Sequence, residues 1–593
     1  MTEFVGRFGP ERVADGRINF RLWAPAAGRV DLMLDDGAHP MDACVGGWFE
    51  MKHASNGRST RYRFRIDGDL VVPDPASQFQ PDDVQGPSEI VDHDSYKWGT
   101  KVWRGRPWHE AVIYELHIGT FSPEGTFRGA IENLDHLVAT GITAIELMPV
   151  ADFAGRWNWG YDGVLLFAPD SAYGTPDDLK ALIDAAHERG LMVFLDVVYN
   201  HFGPEGNYLP VYAPGFFTKD VPTPWGAAID YRVPEVRAFA VQNVLHWLRD
   251  YRFDGLRLDA VHAIKARGEP SILRVIAEAA GALAKAQDRH IHLILENDDN
   301  SADLLAPDEI SGTYRSQWND DYHHSWHVLI TNESAGYYED YPEPFAKLRR
   351  ALSEGFVYQG ETSKHRGGAK RGQNSRALSP LAFVDFLQNH DQIGNRPYGD
   401  RLEVLAPATA VEAALAVTLL APFPPMIFMG EEWGCRQPFP FFCDFTGDLA
   451  RAVEAGRRRE FAAIYDRAAP GREPPSALDS ATFQAAKLDW DNWDQSSLGR
   501  YEMVRLLLVA RDREIVPRLV GARPIRSEDR DAPKPLVHIT WTLADGSMLT
   551  LLANLSAEVV PLDLTLPQQD PLWGSSPASS LSPWQVVWWL EAM

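Results

Sequence analysis

Cysteine is almost missing from this chain. Three occur in 593 residues, at positions 44, 435 and 443. So few, and an odd number, give no disulfide framework and exclude the cysteine-stapled secreted modules. Long apolar runs are missing too, and no stretch reaches the roughly 20 residues that a membrane span needs. The first residues, Met-Thr-Glu-Phe-Val-Gly-Arg, lack the basic region and following apolar run of a leader. A cytoplasmic protein with no membrane partner is expected. Positive charge is also in deficit: 57 Lys and Arg stand against 82 Asp and Glu, for a net charge of −25. That balance argues against nucleic acid and anionic lipid as partners. No His/Cys/Asp group has metal-ligand spacing and no acidic run has calcium-loop spacing. The expectation is therefore no metal and no cofactor. Repeats and low-complexity tracts are absent. The sequence leaves the oligomeric state open.

What is present is bulk. A chain of this length exceeds a single core, so two to four domains are expected. Residues 1–95 read as a small β domain, with strand candidates at Ile18–Leu22, Arg29–Leu34, Arg61–Ile66 and Leu70–Val72. From 96 to 514 the rhythm changes to strands alternating with helices. Apolar runs at Val112–His117, Ala144–Val150, Met192–Val198, Gly255–Val261 and His292–Leu295 are separated by helical patterns at 128–139, 176–189, 234–250 and 270–287. Further strand candidates fall at Thr313–Trp318, Leu381–Leu387 and Pro425–Met429. Eight such units imply an α/β chain with a closed (β/α)8 TIM barrel, whose chemistry sits at the strand C-termini. Residues 515–593 return to short strands and read as a C-terminal β-sandwich.

Three carboxylates stand at such strand ends: Asp259 in Gly-Leu-Arg-Leu-Asp-Ala-Val-His, Glu296 in His-Leu-Ile-Leu-Glu-Asn, and Asp391 in Leu-Gln-Asn-His-Asp-Gln. One acid there is commonplace. Three, with Arg257, His262 and His390 beside them, suit cleavage of a glycosidic bond, which needs a nucleophile and an acid flanking the sugar linkage. Arg257 lies two residues before Asp259, so strand alternation puts both on one face. The apolar run before Glu296 would desolvate that carboxyl and favour its protonated form.

Together with Asp196-Val-Val-Tyr-Asn-His201, these segments resemble, in order, the four short motifs of the α-amylase superfamily (glycoside hydrolase family 13). The resemblance spans almost the whole chain, flanking β domains included; the N-terminal one is similar to the immunoglobulin-like domain of branching, debranching and trehalose-releasing members. It implies that Asp259 is the nucleophile, Glu296 the proton donor and Asp391 the transition-state stabiliser. It also implies that Tyr161, His201, Arg257, His262 and His390 surround the cleaved sugar. Asn200 matches a calcium ligand of many secreted amylases, but with no acidic cluster near it a structural role is expected.

Finer segments resemble the maltooligosyltrehalose trehalohydrolases: Leu387-Gln-Asn-His-Asp-Gln-Ile-Gly-Asn-Arg396, Trp318-Asn-Asp-Asp-Tyr-His-His324, Tyr358-Gln-Gly-Glu361 and Met429-Gly-Glu-Glu-Trp433. The loop His365–Gly372 departs from that group in lacking a proline. The resemblance implies hydrolysis of the α-1,4 bond beside a terminal trehalose, with maltooligosyltrehalose and related α-glucans as partners. Asp320, Asp321, His323, His324, Gln392, Asn395 and Arg396 become candidate contacts on the acceptor side. A branching or debranching enzyme of the same superfamily is the alternative. A non-catalytic glucan-binding protein is disfavoured because all three carboxylates are in place.

Overall fold

The computed structural model describes residues 7–54, 60–223, 226–305, 312–468, 473–521 and 525–592. The first six residues, where no leader pattern is read, lie outside them. At its centre is a closed barrel of eight parallel strands: Ile113–Leu116, Ala144–Leu147, Met192–Val198, Gly255–Asp259, His292–Leu295, Ser316–Trp318, Phe383–Phe386 and Pro425–Phe428. Each lies within one of the expected runs. The strands read as continuous apolar stretches because they are covered on both faces.

Two of the expected helices are interrupted. The segment 128–139 forms helices Phe127–Ile131 and Leu134–Thr140, the second ending on Gly141 at φ 105°. That left-handed turn lets the carbonyls of Leu137 and Val138 bond the Gly141 N–H, and it suits a residue without Cβ. The helix from Pro234 is α-helical to Leu245 and then widens to a π turn over His246–Asp250. There the His246 ring turns inward, placing Nε2 2.9 Å from the Phe167 carbonyl and Nδ1 3.0 Å from Asp250.

The barrel interior is layered. Ile113, Ala144, Met192, Phe194, Ile294, Val384 and Met426 belong to one apolar cluster that fills its floor. Two residues further along the first four strands stand Glu115, Glu146, Asp196 and Arg257. Register pairs Glu115 with Glu146 and Asp196 with Arg257. A layer of ionisable groups therefore lies directly above an apolar one.

The N-terminal domain is two antiparallel sheets. One joins Ile18–Trp23 to Trp48–His53. The other runs from Gly37–Pro40 through Val30–Leu34 and Arg61–Ile66 to Leu70–Val72. The C-terminal domain is a four-stranded sheet, Arg526–Asp529, Leu536–Thr542, Met548–Asn554 and Val586–Glu591, faced by a two-stranded pair. Its strands alternate cleanly. Val537, Ile539, Trp541 and Trp588 join the main core, while Leu536, Val587 and Trp589 form an outer cluster. Trp541 and Trp588 donate their indole N–H groups to the carbonyls of Leu352 and Ala416 on barrel helices, which docks the sheet on the barrel.

A segment before the first strand belts the barrel floor. Trp103 donates its indole N–H to Asp254 Oδ1 at 2.7 Å. The other oxygen of Asp254 accepts from the Val193 N–H at 3.0 Å and lies 2.9 Å from His187 Nε2, with Arg289 3.3 Å from the first. Burial disfavours this carboxylate, but His187, Arg289 and the Val193 N–H hold it below the usual aspartate value of 3.8. Its stabilisation is therefore present above that pH and is lost as pH falls through the folded value. Asp254→Ala should cost about 3–5 kcal/mol by leaving buried donors unpaired. The Tm gap between wild type and Asp254→Asn should be widest near neutrality and narrow in acid. A gap of constant size from about pH 7 to about pH 3 would remove the carboxylate's charge from this account.

Candidate active site

Arg257 sits at the bottom of the cleft, fully buried, with its guanidinium 4.1 Å from the centre of the Trp318 ring. Nη1 donates to Asp196 Oδ2 at 2.7 Å and to Asp259 Oδ1 at 2.8 Å. Nη2 lies 3.8 Å from Glu296 Oε2. Adjacent parallel strands in register bring Asp196 beside Arg257 and Val198 beside Asp259, so the chain's own pleat assembles this group. The second oxygen of Asp259 accepts a hydrogen bond from Asn200 Nδ2 at 2.9 Å. Asn200, expected to be structural, thus holds the Asp259 carboxylate and helps to fix its rotamer.

Glu296 Oε2 accepts the backbone N–H of Ala260 at 2.6 Å. Ala260 has φ 42° and ψ 46°, a left-handed conformation costly for a residue with a Cβ. That turn aims the N–H at Glu296 immediately after the strand that carries Asp259. Burial pushes the Glu296 carboxyl well above its ordinary value. Arg257 opposes this, and Asp259, Asp320 and Asp391 reinforce it. A carboxylic acid that stays protonated near neutrality can donate a proton to a leaving oxygen.

Tyr161, His201, His262 and His390, expected around a sugar ring, lie close to these carboxylates or to residues that contact them. Tyr161 donates its hydroxyl to Asp196 Oδ2 at 2.5 Å, and its ring stacks on His390 with centroids 5.0 Å apart and 21° between planes. His390 Nδ1 lies 2.5 Å from Glu115 Oε1, both buried. Burial disfavours the imidazolium, but Glu115 and Asp391 outweigh it and raise the His390 pKa to about 9. His201 Nε2 is 2.9 Å from the Tyr161 carbonyl. His262 Nδ1 accepts the Asp298 N–H at 3.3 Å. Asp391 is open to the cleft, with 46% of its side chain exposed, and its Oδ1 accepts from Asn395 Nδ2 at 3.3 Å.

On the acceptor side the structure divides the candidates. Asp320 faces the same cleft, and burial, with Asp298 and Asp391 adding to it, raises its pKa to about 7. His324 is buried, its Nδ1 has no hydrogen-bond partner, and its ring lies 4.8 Å from that of Tyr337, which is 37% exposed. Two expectations need correction. Asp321 is buried with both oxygens engaged: by the N–H groups of Val357 and Tyr358, by Asn300, by the Tyr341 hydroxyl and by Arg371. His323 is fully buried, with its ring nitrogens at the Leu387 carbonyl and the Tyr338 hydroxyl. Neither has a polar atom left for a sugar; both hold the wall in place. Gln392 spends its Oε1 on the Asn389 N–H as part of a capping box, and Arg396 makes a two-pronged pair with Glu333 at 2.7 and 2.8 Å. These two shape the rim through their neighbours.

Other residues of the site fall outside the sequence motifs. Glu115 and Glu146 are acids inside apolar strand runs, which was itself a signal. Arg366 pairs with Asp298 and, at 2.8 Å, with Asp299; Arg371 pairs with Asp298 at 2.8 Å. The loop lacking the expected proline is thus pinned by charge to the segment following Glu296.

Two measurements follow. The nucleophile and proton-donor roles implied by the family resemblance predict that Asp259→Asn and Glu296→Gln each lower kcat by at least about a thousandfold with an unchanged circular dichroism spectrum. Retention of more than about a tenth of wild-type kcat would take that role from the residue. Glu146 has both oxygens buried without a hydrogen-bond partner. Burial, with Asp196 and Glu115, holds its pKa well above the ordinary 4.5. Such a group is neutral in the fold and ionised in the unfolded chain, so stability falls as pH rises from the ordinary value towards the folded one. Glu146→Gln should raise Tm at about pH 8 and lose that advantage near pH 4. An equal gain at both would show that charge is not the cause.

Comparison with known proteins agrees with this geometry. A model of the alpha amylase catalytic domain matches residues 79–211, carbohydrate-binding module 48 (isoamylase N-terminal domain) matches 7–76, and a domain of unknown function, DUF3459, matches 529–588. A malto-oligosyltrehalose trehalohydrolase from Deinococcus radiodurans is 42% identical, covering 79% of this chain and 77% of its own. The Mycobacterium tuberculosis protein of that name is 37% identical over 94% of this chain and 96% of its own. A crystal structure described as that of an alpha amylase from Salmonella typhimurium superposes with TM-score 0.94 at 44% identity, over 99% of this chain and all of that one. A Paenibacillus barengoltzii pullulanase shares the fold at 20% identity with TM-score 0.72. The chain belongs to the malto-oligosyltrehalose trehalohydrolases of the α-amylase family of glycoside hydrolases.

Proposed function

We propose that the protein hydrolyses the α-1,4-glucosidic bond next to the terminal trehalose of maltooligosyltrehalose, releasing trehalose and a shortened glucan. The observation that carries the chemistry is the single guanidinium of Arg257 facing both Asp259 and Glu296. Asp259 attacks the anomeric carbon of the donor sugar while Glu296 protonates the departing glycosidic oxygen, and trehalose leaves. The glycosyl–Asp259 ester is then opened by water, which Glu296, now ionised, deprotonates. The α configuration is retained. Asp391 and the His390 imidazolium hold sugar hydroxyls and favour the charge distribution of the oxocarbenium-like transition state.

Domain limits near 95 and 514 fit the change from sheet to barrel and back. No helix among the described residues is long and apolar enough to cross a membrane. The three unpaired cysteines fit the reducing cytoplasm.

Specificity supplies the test. Asp320, His324 and the exposed Tyr337 line the acceptor side, and a site that hydrogen-bonds one sugar end rejects analogues that leave its groups unpaired. Maltooligosyltrehalose should be cleaved roughly a hundredfold faster in kcat/KM than the maltooligosaccharide of equal length, equivalent to about 2.7 kcal/mol. Asp320→Asn should shrink that ratio more than it slows cleavage of the plain chain. Equal rates on both substrates in the wild type would leave only a general α-glucan hydrolase. Transfer to or hydrolysis of α-1,6 linkages would favour a branching or debranching enzyme.

A further inference from the structure

The two sheets of the N-terminal domain approach each other at an edge, far along the chain from the cleft residues. Leu34 pairs with Gly37 across a two-residue turn made by Asp35 and Asp36. The turn presents Asp36 beside His39, on the edge strand Gly37–Pro40 of one sheet. His39 Nε2 lies 2.8 Å from Asp36 Oδ1. His53 ends the strand Trp48–His53 of the other sheet, yet its Nε2 lies 3.6 Å from the second oxygen, Asp36 Oδ2. The two imidazole rings are 4.9 Å apart at 55°. One donor atom from each of the three residues lies within 4.8 Å of the others.

This arrangement has the composition of a ligand set. Two imidazole nitrogens and one carboxylate oxygen, with no thiolate, suit a first-row divalent ion and not magnesium or calcium, which prefer all-oxygen shells. Ligand bonds of about 2.0–2.2 Å require donors that can converge to within about 3.5 Å of one another, a small adjustment from the distances found. Asp36 is 60% exposed and each histidine about a quarter exposed, so water can complete the coordination. Asp35 adds a neighbouring negative charge, and the chain's net −25 favours a dication throughout. Sequence spacing conceals the group, because Asp36 and His39 share a hairpin while His53 comes from the opposite sheet.

We propose that Asp36, His39 and His53 form a transition-metal site, with zinc as the representative ion, that staples the edge strand of one N-terminal sheet to the other. The site is structural: it lies outside the candidate catalytic group and adds a cross-link between the start of the edge strand Gly37–Pro40 and the far end of Trp48–His53, beyond the backbone pairing of Asp42–Cys44 with Trp48–Glu50. Binding an ion that the unfolded chain holds less well stabilises the fold by mass action.

The test uses the untagged full-length protein, dialysed against a chelator and titrated with zinc chloride by calorimetry. One equivalent should bind, and the Tm should rise with zinc concentration. His53→Ala and Asp36→Asn should each weaken zinc binding at least about tenfold and abolish the Tm shift. The metal-free circular dichroism spectra and the rate on maltooligosyltrehalose should stay as in wild type. Magnesium chloride should give neither heat nor shift. Unchanged zinc affinity in a His39→Ala/His53→Ala double variant with a normal spectrum would overturn the proposal. So would the absence of stoichiometric zinc binding by the wild type, or magnesium binding as tight as zinc.

Discussion

A single buried guanidinium organises the catalytic end of this protein. Arg257 has no contact with solvent, so its charge is tolerable only if carboxylates surround it. Asp196 and Asp259 supply hydrogen bonds below 3 Å, Glu296 stands at the edge of the same fork, and Trp318 covers the guanidinium face. Both hydrogen bonds leave Nη1, while the planar guanidinium also lies over the Trp318 ring and keeps Nη2 near Glu296, a combination that a lysine ammonium lacks. The positions of the proposed nucleophile and acid are thereby tied to one rigid group at the centre of the barrel.

The same layer carries more acid than base. Glu115, Glu146, Asp196, Asp259 and Glu296 face Arg257 and His390 in a volume closed below by the apolar floor. Not all of these acids can ionise together. Burial and mutual repulsion raise Glu146 and Glu296 strongly and Asp196 to about 6, while Glu115 and Asp391 bring the His390 pKa to about 9. The outcome is a site with an acid still protonated next to a carboxylate held by hydrogen bonds, oriented before any substrate arrives. The strained turn at Ala260 belongs to this preparation, since its N–H fixes Glu296.

The acceptor wall follows a different logic. Asp321 and Arg371 bind backbone and side chains of three segments, and Arg366 joins Asp298 and Asp299 across the mouth. Charged residues here act mainly as rivets between loops. Asp320, His324 and Tyr337 are the proposed sugar contacts on this wall.

Sequence alone determined the architecture and nominated a candidate catalytic group. Each barrel strand is a doubly buried apolar run, and period and composition reveal such runs without knowledge of their neighbours. Asp259 and Glu296 stand out because they fall at strand ends on one barrel face, whereas Asp391, expected at the end of the seventh strand, lies beyond that strand's end at Phe386, in the first turn of the helix His390–Gly394. Tertiary structure decided what depends on contacts between distant segments. Asp321 and His323 are each one residue from Asp320 and His324 on the helix Asp320–Thr331, and the roughly 100° step between adjacent helical residues turns one into the wall and the other towards the cleft. Asn200 looked structural until the neighbouring strand placed Asp259 against it. Glu115 found its partner in His390, nearly the whole barrel away in sequence, and His53 found Asp36 on the opposite sheet. Hydrophobic periodicity is a local property of the chain, whereas the pairing of buried polar groups is set by which strands the closed barrel and the stacked sheets bring side by side.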